Sequence, residues 1–545
     1  MKKFILPLIL ILFLSFTLIG NCDWLEGWDY RIELKIEDYA GDIGHDSKYP
    51  TAHTADYVKA TTTFGAGYYP YYATDPERSV TGGCNGLEWL SDDTEVTNQR
   101  FHIDLGSAKI ISRIYYENSH NSGADTNHGV QNFIFQGSNT GAGTFDDLVY
   151  ANDEGWTTLT TSQSTFDEHV GADQADPKYI TVTNNTAYRY YAFKFADNYG
   201  DATFMGVRRI ELQEGVTWFP VTVFLTDSQA EEVFTELTTD AEYLKTAVTK
   251  ADGTTQLYAE FEIFDVSETN GIFHTSRDGW TVDANTSIFL YYDSTHADNT
   301  DYIGAIGART EVWDGNHKIV YHQADLTTSS VEDSTSNSND GTKASANNPV
   351  EAIGKIGQGQ IYDTNSDAIY SGAALDAMSN FTLETLVKFS SADGGIDDKF
   401  LTIAEIGTYN DPSVFRYTNE TIQIYADGAE KIVSTTTIAD TNWHHVAIVA
   451  DGTYIRLYID GVEDGSSPIA YTGNSANKPL HIGDNCLGTD TFTGTLDESR
   501  VSDTKRSAAW EKGSYNSSFD TLFTYGSEET EEVEEENAIF FGCNF

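Results

Sequence analysis

The chain has 545 residues, more than one core organises, so about three domains are expected. Its 84 acidic residues against 32 basic ones leave a formal charge of −52, which repels phosphate backbones and anionic membranes and argues against nucleic acid as a partner. With 32 Tyr, 29 Phe, 45 Gly and only 3 Met, and without long Ala/Leu/Lys/Glu periodicity, the composition indicates an all-β chain rich in turns.

Met1–Cys22 has the pattern of an export signal: Lys2 and Lys3, then the apolar run Phe4–Ile19. Cleavage is expected after Gly20 or Cys22. Lipidation of Cys22 is the alternative, and Asn21 before it fits that poorly. No later segment is long and apolar enough to span a bilayer, so a secreted or cell-surface location is expected. Cys84, Cys486 and Cys543 are far apart and odd in number, which allows at most one disulfide and suggests no zinc motif.

In GWDYRIELKIED, Tyr30, Ile32, Leu34 and Ile36 alternate with Arg31, Glu33, Lys35 and Glu37, the period of a half-buried strand. A hairpin partner normally follows within a few residues. Polar, Gly-rich sequence follows here instead. Strands then recur at QRFHIDLGS, KIISRIYYEN, VQNFIFQGSN, YRYYAFKFADN and VRRIELQ, separated by Gly, Asn, Asp and Ser turns.

The order of Trp89–Ser91, Phe101–Gly106, Ile110–Tyr116, Phe133–Asn139, Tyr188–Phe195 and Arg208–Leu212 resembles a discoidin domain of the coagulation factor 5/8 type C kind. That resemblance implies an eight-stranded jelly roll binding glycans or lipid head groups through loops at one end. TDPERSVTGGCNG in place of the usual Asp-Gly before the Trp, and the extra sequence at Thr144–Pro177, both depart from the family at those loops. Sugar sites set aromatic faces against C–H surfaces and amide or charged groups against hydroxyls. Among the loops, Tyr69, Tyr72, Trp89, His120, Asn121, His128, Tyr199 and Phe204 supply such groups and are the expected ligand-binding residues. The alternative is that these aromatics pack.

The segment Thr217–Leu237, with LYAEFEIFDVS, GIFHTS and TSIFLYYDSTHAD after it, resembles the tail of a β-sandwich domain of unknown function found in multimodular secreted prokaryotic proteins. Trp28–Ile36 matches that family's opening W-x-Y-R strand, Phe219–Val223 its F-P-V-x-V and Tyr291–Asp293 its Y-Y end. The implied organisation is a split domain, residues 23–45 plus 215–312, with the discoidin-like block 46–214 inserted, since surface loops tolerate domains whose ends lie close. TWFPVTVFLTD is the expected neighbour of Trp28–Ile36. Glu260 and Glu262, at alternate positions, read as a solvated strand face.

Residues 313–526 resemble the concanavalin A-like, laminin-G/pentraxin-like sandwich through Asn442–Ala447, Leu457–Gly461 and Leu496–Ser502. Asp460-Gly461 is a hairpin signal, and His444 and His445 read as structural. DSTSNSNDG places Asp333, Asn337 and Asn339 at alternate positions near a Gly, and the resemblance sets Asp497 on a nearby strand. Together these are candidate calcium ligands, against the plainer reading of an Asn/Ser/Gly turn. Residues 527–545 are an acidic run expected to be disordered, with a short apolar end able to serve in docking.

The expected architecture is therefore all-β, with three β-sandwich or jelly-roll domains. No G-x-S-x-G, H-E-x-x-H or phosphate loop occurs, so catalysis is not expected. The expected role is non-catalytic glycan binding and adhesion at the cell exterior. The alternatives are a structural adhesin or a virion or cell-envelope component working through protein contacts, and a polysaccharide hydrolase.

Overall fold

The structure, a computed structural model, describes residues 24–36, 45–184, 186–282, 286–304, 306–324, 329–343, 345, 348–363, 367–372, 375, 377–392, 398–403, 412–426, 428–471, 478–484 and 492–531. The expected export signal, Cys486, Cys543 and the end of the acidic tail fall outside these residues. The described chain is dominated by antiparallel strands, as the composition implies. Among the described residues no helix is long and apolar enough to cross a membrane.

Strand Tyr30–Ile36 buries Ile32, Leu34 and Ile36, as its alternation requires. It pairs antiparallel with Ser287–Tyr292 on one side and with Phe523–Thr530 on the other. The expected neighbour, Val221–Thr226, is in the same seven-stranded sheet but at its opposite edge. The sheet curls on itself, so the two edges meet: the Tyr525 hydroxyl of one edge strand donates to the Phe224 carbonyl of the other at 2.6 Å. Helix Asp227–Glu236 packs Ala230, Val233 and Phe234 into the core that this curl encloses, beside Leu34, Val223 and Leu290.

The beginning of the acidic run is thus a strand rather than a disordered tail. Glu529 accepts from Arg31 at 2.7 Å and Glu528 from the Tyr292 hydroxyl at 2.7 Å, and these partners lie far upstream in sequence. The boundary expected near residue 526 shifts accordingly: Phe523–Thr530 completes the first sheet.

Between Ile36 and Val221 the chain builds a second core. One sheet holds Gly206–Thr217, Arg113–Asn118, Lys178–Thr183 and Thr160–Thr161, with His45–Lys48 and Trp89–Leu90 paired to the long first strand. The other holds Val58–Ala60, Gln99–Lys109, Tyr188–Phe195, Phe133–Ser138 and Thr157–Thr158. Between them lie Trp89, Phe101, Phe133, Phe135, Phe166, Phe193 and Phe195. His45–Lys48 runs antiparallel to Leu212–Gly215, so the segments that enter and leave this block are bonded side by side.

The third core lies between two further sheets. One runs Val350–Ile353, Gln358–Tyr362, Gly494–Ser502, Asn380–Phe389, Trp443–Asp451, Tyr454–Ile459, Val462–Ala470. The other carries eight strands from Ser330–Val331 to Ala429–Thr437. The expected hairpin is present: Ile459 faces Val462 across Asp460 and Gly461, both at positive φ, and Ile455, Leu457 and Ile459 are buried. His444 bridges Asp460 and Asp440 at 2.9 and 3.1 Å, and buried His445 lies 3.2 Å from Glu384.

Glu260 and Glu262 are not a solvated face. Glu260 is buried and Glu262 nearly so, because the third core's His322 and Glu498 are packed against that side of the first sheet.

Candidate functional site

The loops at one end of the inserted sandwich gather half of the eight expected ligand residues into aromatic groups. Pro70 begins a short 3-10 turn, Pro70–Thr74, with its ring suited to a first helical position. This turn fixes Tyr71 and Tyr72 against Tyr69: ring centroids lie 5.1 Å apart for Tyr69–Tyr71, 5.0 Å for Tyr71–Tyr72 and 5.7 Å for Tyr69–Tyr72. The Arg78 guanidinium sits 3.6 Å over Tyr72, while its Nε donates to Asp75 at 3.1 Å. The Tyr72 hydroxyl donates to the Ala66 carbonyl at 3.1 Å, tying this cluster to the preceding loop.

That loop presents a second aromatic group. Phe64 is 44% exposed and meets Phe204 edge-on at 4.7 Å and Tyr68 at 5.5 Å. His128 lies 5.5 Å from Phe204 and points Nε2 toward Asp201 at 3.5 Å. Asp201 also accepts from the peptide N–H groups of Thr203 and Phe204 at 2.7 and 2.8 Å, which fixes the loop carrying Phe204. Burial opposes ionisation of Asp201, yet these N–H groups and His128 hold its carboxyl below the ordinary value. The result is a half-exposed aromatic surface edged by an ionised carboxylate, an imidazole and a guanidinium.

Other expected residues lie beneath or beside that surface. Trp89 is fully buried, stacked on Phe195 and edge-on to Phe101, and its Nε1 donates to the Thr62 carbonyl at 3.0 Å. His120 is fully buried and stacked on His169 at 4.0 Å. Its Nε2 donates to Val80 O at 2.9 Å and its Nδ1 accepts from Gly123 N, and burial pushes it below its ordinary pKa. Both side chains are buried and bonded to the loop backbone. The Tyr199 hydroxyl donates to the Phe166 carbonyl at 2.6 Å, and Asn121 donates to Asp125 at 3.1 Å. Of the eight expected residues, the structure brings Phe204 and His128 into one aromatic group and Tyr69 and Tyr72 into the other.

Phe64 and Asp201 were not among the expected residues. Their signals in the sequence are slight: one Phe before Gly-Ala-Gly, and one Asp among the many in the loops.

Below the loops, buried Glu88 lies 3.8 Å from buried Arg208, which donates to the carbonyls of Gly82 and Gly83 at 2.7 and 3.2 Å. Burial pushes Glu88 up to about 8 despite that cation.

The expected calcium ligands do not converge. The Asp333 carboxylate accepts from Val320 N, Thr335 N, Asn339 N and the Thr335 hydroxyl. Asp497 accepts from Lys355 N, Ile356 N and Glu498 N. The two carboxylates thus engage different backbone segments, and the Asp333 loop has the bonding of an Asx-type turn. Asn337 and Asn339 instead line a cleft of about 480 Å3 with Lys318, Met378, Asn380 and Asp503.

Residues 363–510 match the family described as the concanavalin A-like lectin/glucanases superfamily. No curated protein matches the chain. Among solved structures, domain 4 of an extracellular arabinanase from Geobacillus stearothermophilus, in complex with arabinotriose, is 19% identical, with 36% of this chain and 98% of that one covered and a TM-score of 0.29. A chitosan-binding module of a Paenibacillus sp. IK-5 chitosanase/glucanase is 20% identical over 31% of this chain and 98% of that one, at 0.21. A pentraxin from Limulus polyphemus is 15% identical over 30% and 87%, at 0.23.

Proposed function

We propose that the chain is a non-catalytic glycan-binding protein of the cell exterior that attaches through the aromatic loop surface of the inserted sandwich. The observation that carries this reading is the pairing of Phe64, Tyr68 and Phe204 with the Asp201–His128 pair at one edge. Aromatic faces take up the C–H side of a sugar ring, and the carboxylate and imidazole bond its hydroxyls. A net charge of −52 disfavours sulfated or uronic chains and favours neutral or amino-sugar polymers. The polar cleft beside Asn337, Asn339 and Asn380 supplies a second place for a sugar on the lectin-like sandwich. Export is supported by the Met1–Cys22 pattern.

The test is a glycan array and a polysaccharide pull-down with the full chain, run with calcium and with chelator, beside Phe64→Ala and Phe204→Ala variants. Retention on neutral or amino-sugar polymers, weakened at least tenfold by either variant, supports the reading, and loss of retention in chelator assigns calcium a part. Retention unchanged by both variants sinks the assignment of this surface. Release of reducing sugar by the purified chain would replace a binding role with a hydrolytic one.

A further inference from the structure

The first sheet and the lectin-like sandwich meet across a buried group of side chains that the glycan reading does not use. Glu262 comes from strand Gln256–Asp265 and His274 from Asn270–Ser276, both in the first sheet. Glu498 comes from strand Gly494–Ser502, and His322 follows strand His317–Tyr321, which is paired to it. One ligand atom from each of these four residues lies within 4.8 Å of the others. Glu262 Oε1 is 2.6 Å from His274 Nε2 and 3.2 Å from His322 Nδ1; Glu498 Oε1 is 2.5 Å from His322 Nδ1, and its Oε2, which accepts from Arg500, is 3.7 Å from His274 Nε2.

Two further observations point to a cation. The first is the support behind each imidazole. His274 Nδ1 bonds the buried Thr222 hydroxyl at 3.1 Å. His322 Nε2 lies 3.3 Å from a Glu260 carboxylate that is itself held by Trp313 Nε1 at 2.8 Å and the Ser334 hydroxyl at 2.6 Å. His274 is oriented as metal-bound histidines are, one ring nitrogen free for the ion and the other on a fixed oxygen, and His322 has the Glu260 carboxylate within ion-pair distance of its second nitrogen. The second is Glu262 itself. Its side chain is 5% exposed, and its Oε2 is buried with no hydrogen-bond partner, against the Gly357 backbone, where a Cβ would stand 2.6 Å from that oxygen. A buried carboxylate oxygen left unpaired is costly unless a cation neutralises it.

We propose that Glu262, His274, His322 and Glu498 bind one divalent transition ion of the zinc class, closing the first sheet onto the lectin-like sandwich. Two imidazole nitrogens and two carboxylates favour zinc over calcium or magnesium, which take all-oxygen shells. Four protein ligands fill a tetrahedral shell, so the ion is structural and leaves no open position for substrate. Tetrahedral ligation sets donor atoms about 3.3–3.5 Å apart, and the separations above lie on both sides of that range. Each sandwich contributes half of the ligands, so the ion binds fully only when the two are docked, and its affinity becomes docking stability.

The experiment uses the full chain. Metal content is measured by mass spectrometry after purification without chelator, and the stripped protein is titrated with zinc and, separately, with cobalt and calcium. The expected result is one zinc per chain, a thermal midpoint raised by zinc, and visible cobalt absorption of four-coordinate intensity. His274→Ala and Glu262→Gln should each lose the ion. Glu260→Gln, which keeps all four ligands, should weaken zinc affinity by about 10- to 100-fold. Glu262→Gln preserves side-chain volume and one hydrogen-bonding oxygen, so it remains informative if His274→Ala fails to fold. Absence of zinc uptake or of any midpoint shift overturns the proposal, as does a response to calcium alone. Zinc retained in both ligand variants overturns it too, since the ion would then sit at the neighbouring Glu384, His445 and Glu511 group.

Discussion

At the scale of residues, the buried charges are the most testable feature. Glu88 is fully buried and raised to about 8 by burial, with Arg208 at 3.8 Å opposing only part of the shift. In the unfolded chain it ionises near its ordinary value of 4.5. Between those values the unfolded state has lost its proton and the folded state keeps it, so stability falls as pH rises and levels off above about 8. The ceiling on that loss is about 5 kcal/mol, at about 1.4 kcal/mol per pKa unit. Glu88→Gln should therefore flatten the slope of stability against pH from about 4.5 to about 8, read by urea denaturation at several pH values. An unchanged slope would mean that Glu88 is ionised in the fold. Glu88 was not legible as buried: it precedes Trp89-Leu90 in a loop-rich stretch, and the residues around its carboxyl, Ser119, His120 and Arg208, come from further along the chain.

At the scale of elements, the hairpin at Asp460-Gly461 shows how much a local pattern encodes and where it stops. The turn and the buried face of Ile455, Leu457 and Ile459 follow from sequence, because both depend on residues within one hairpin. What the turn packs against does not. A Cβ on Gly461 would stand 2.9 Å from the Lys512 Cα and 3.1 Å from the Tyr515 Cβ, on helix Ala508–Ser518. Gly461→Ala thus meets both a positive φ of 75° and a neighbouring helix, and a loss of about 1–3 kcal/mol is expected by chemical denaturation. A loss below about 0.5 kcal/mol would show that the helix moves freely away from the turn. Glu260 and Glu262 make the complementary point. Their alternation places them on one face of a strand, and a strand's own sequence does not say whether another domain covers that face. The aromatic loop surface lies between these cases: Tyr69, Tyr72, His128 and Phe204 stand out by type, but Trp89 and His120, equally conspicuous, prove to be core because strands distant in sequence close over them.

At the scale of the whole molecule, the question is how one chain closes a sheet whose strands come from its beginning, middle and end. Tyr30–Ile36 lies between Ser287–Tyr292 and Phe523–Thr530, so the sheet needs residues from both sides of the inserted block and from beyond the lectin-like sandwich. The first requirement has a signal in the sequence, the resemblance of Trp28–Ile36 and Tyr291–Asp293 to parts of one β-sandwich family. The second was not, since the closing strand reads as the start of an acidic run. Two deletions separate these dependencies. Replacing Asp46–Glu214 by a two-residue turn joins positions that are already neighbours, because His45 faces Gly215 across an antiparallel pair. That variant should unfold cooperatively near the full chain's midpoint, the closure of a short loop costing little. Truncating the full chain before Phe523 removes the outer neighbour of Tyr30–Ile36, the Tyr525 bond that joins the sheet's two edges, and the carboxylates of Glu529 and Glu528 that bond Arg31 and Tyr292. It should lower the midpoint of the first sheet and speed amide exchange in Tyr30–Ile36 and Ser287–Tyr292, while the strands around Phe101 and Phe193 in the inserted sandwich stay protected. If the truncation leaves exchange in Tyr30–Ile36 unchanged, the C-terminal strand is an accessory and the first sheet is complete without it. If excision of the inserted block abolishes cooperative unfolding, the block is part of the first sheet's folding unit, and its paired ends mark a contact between two parts of one domain.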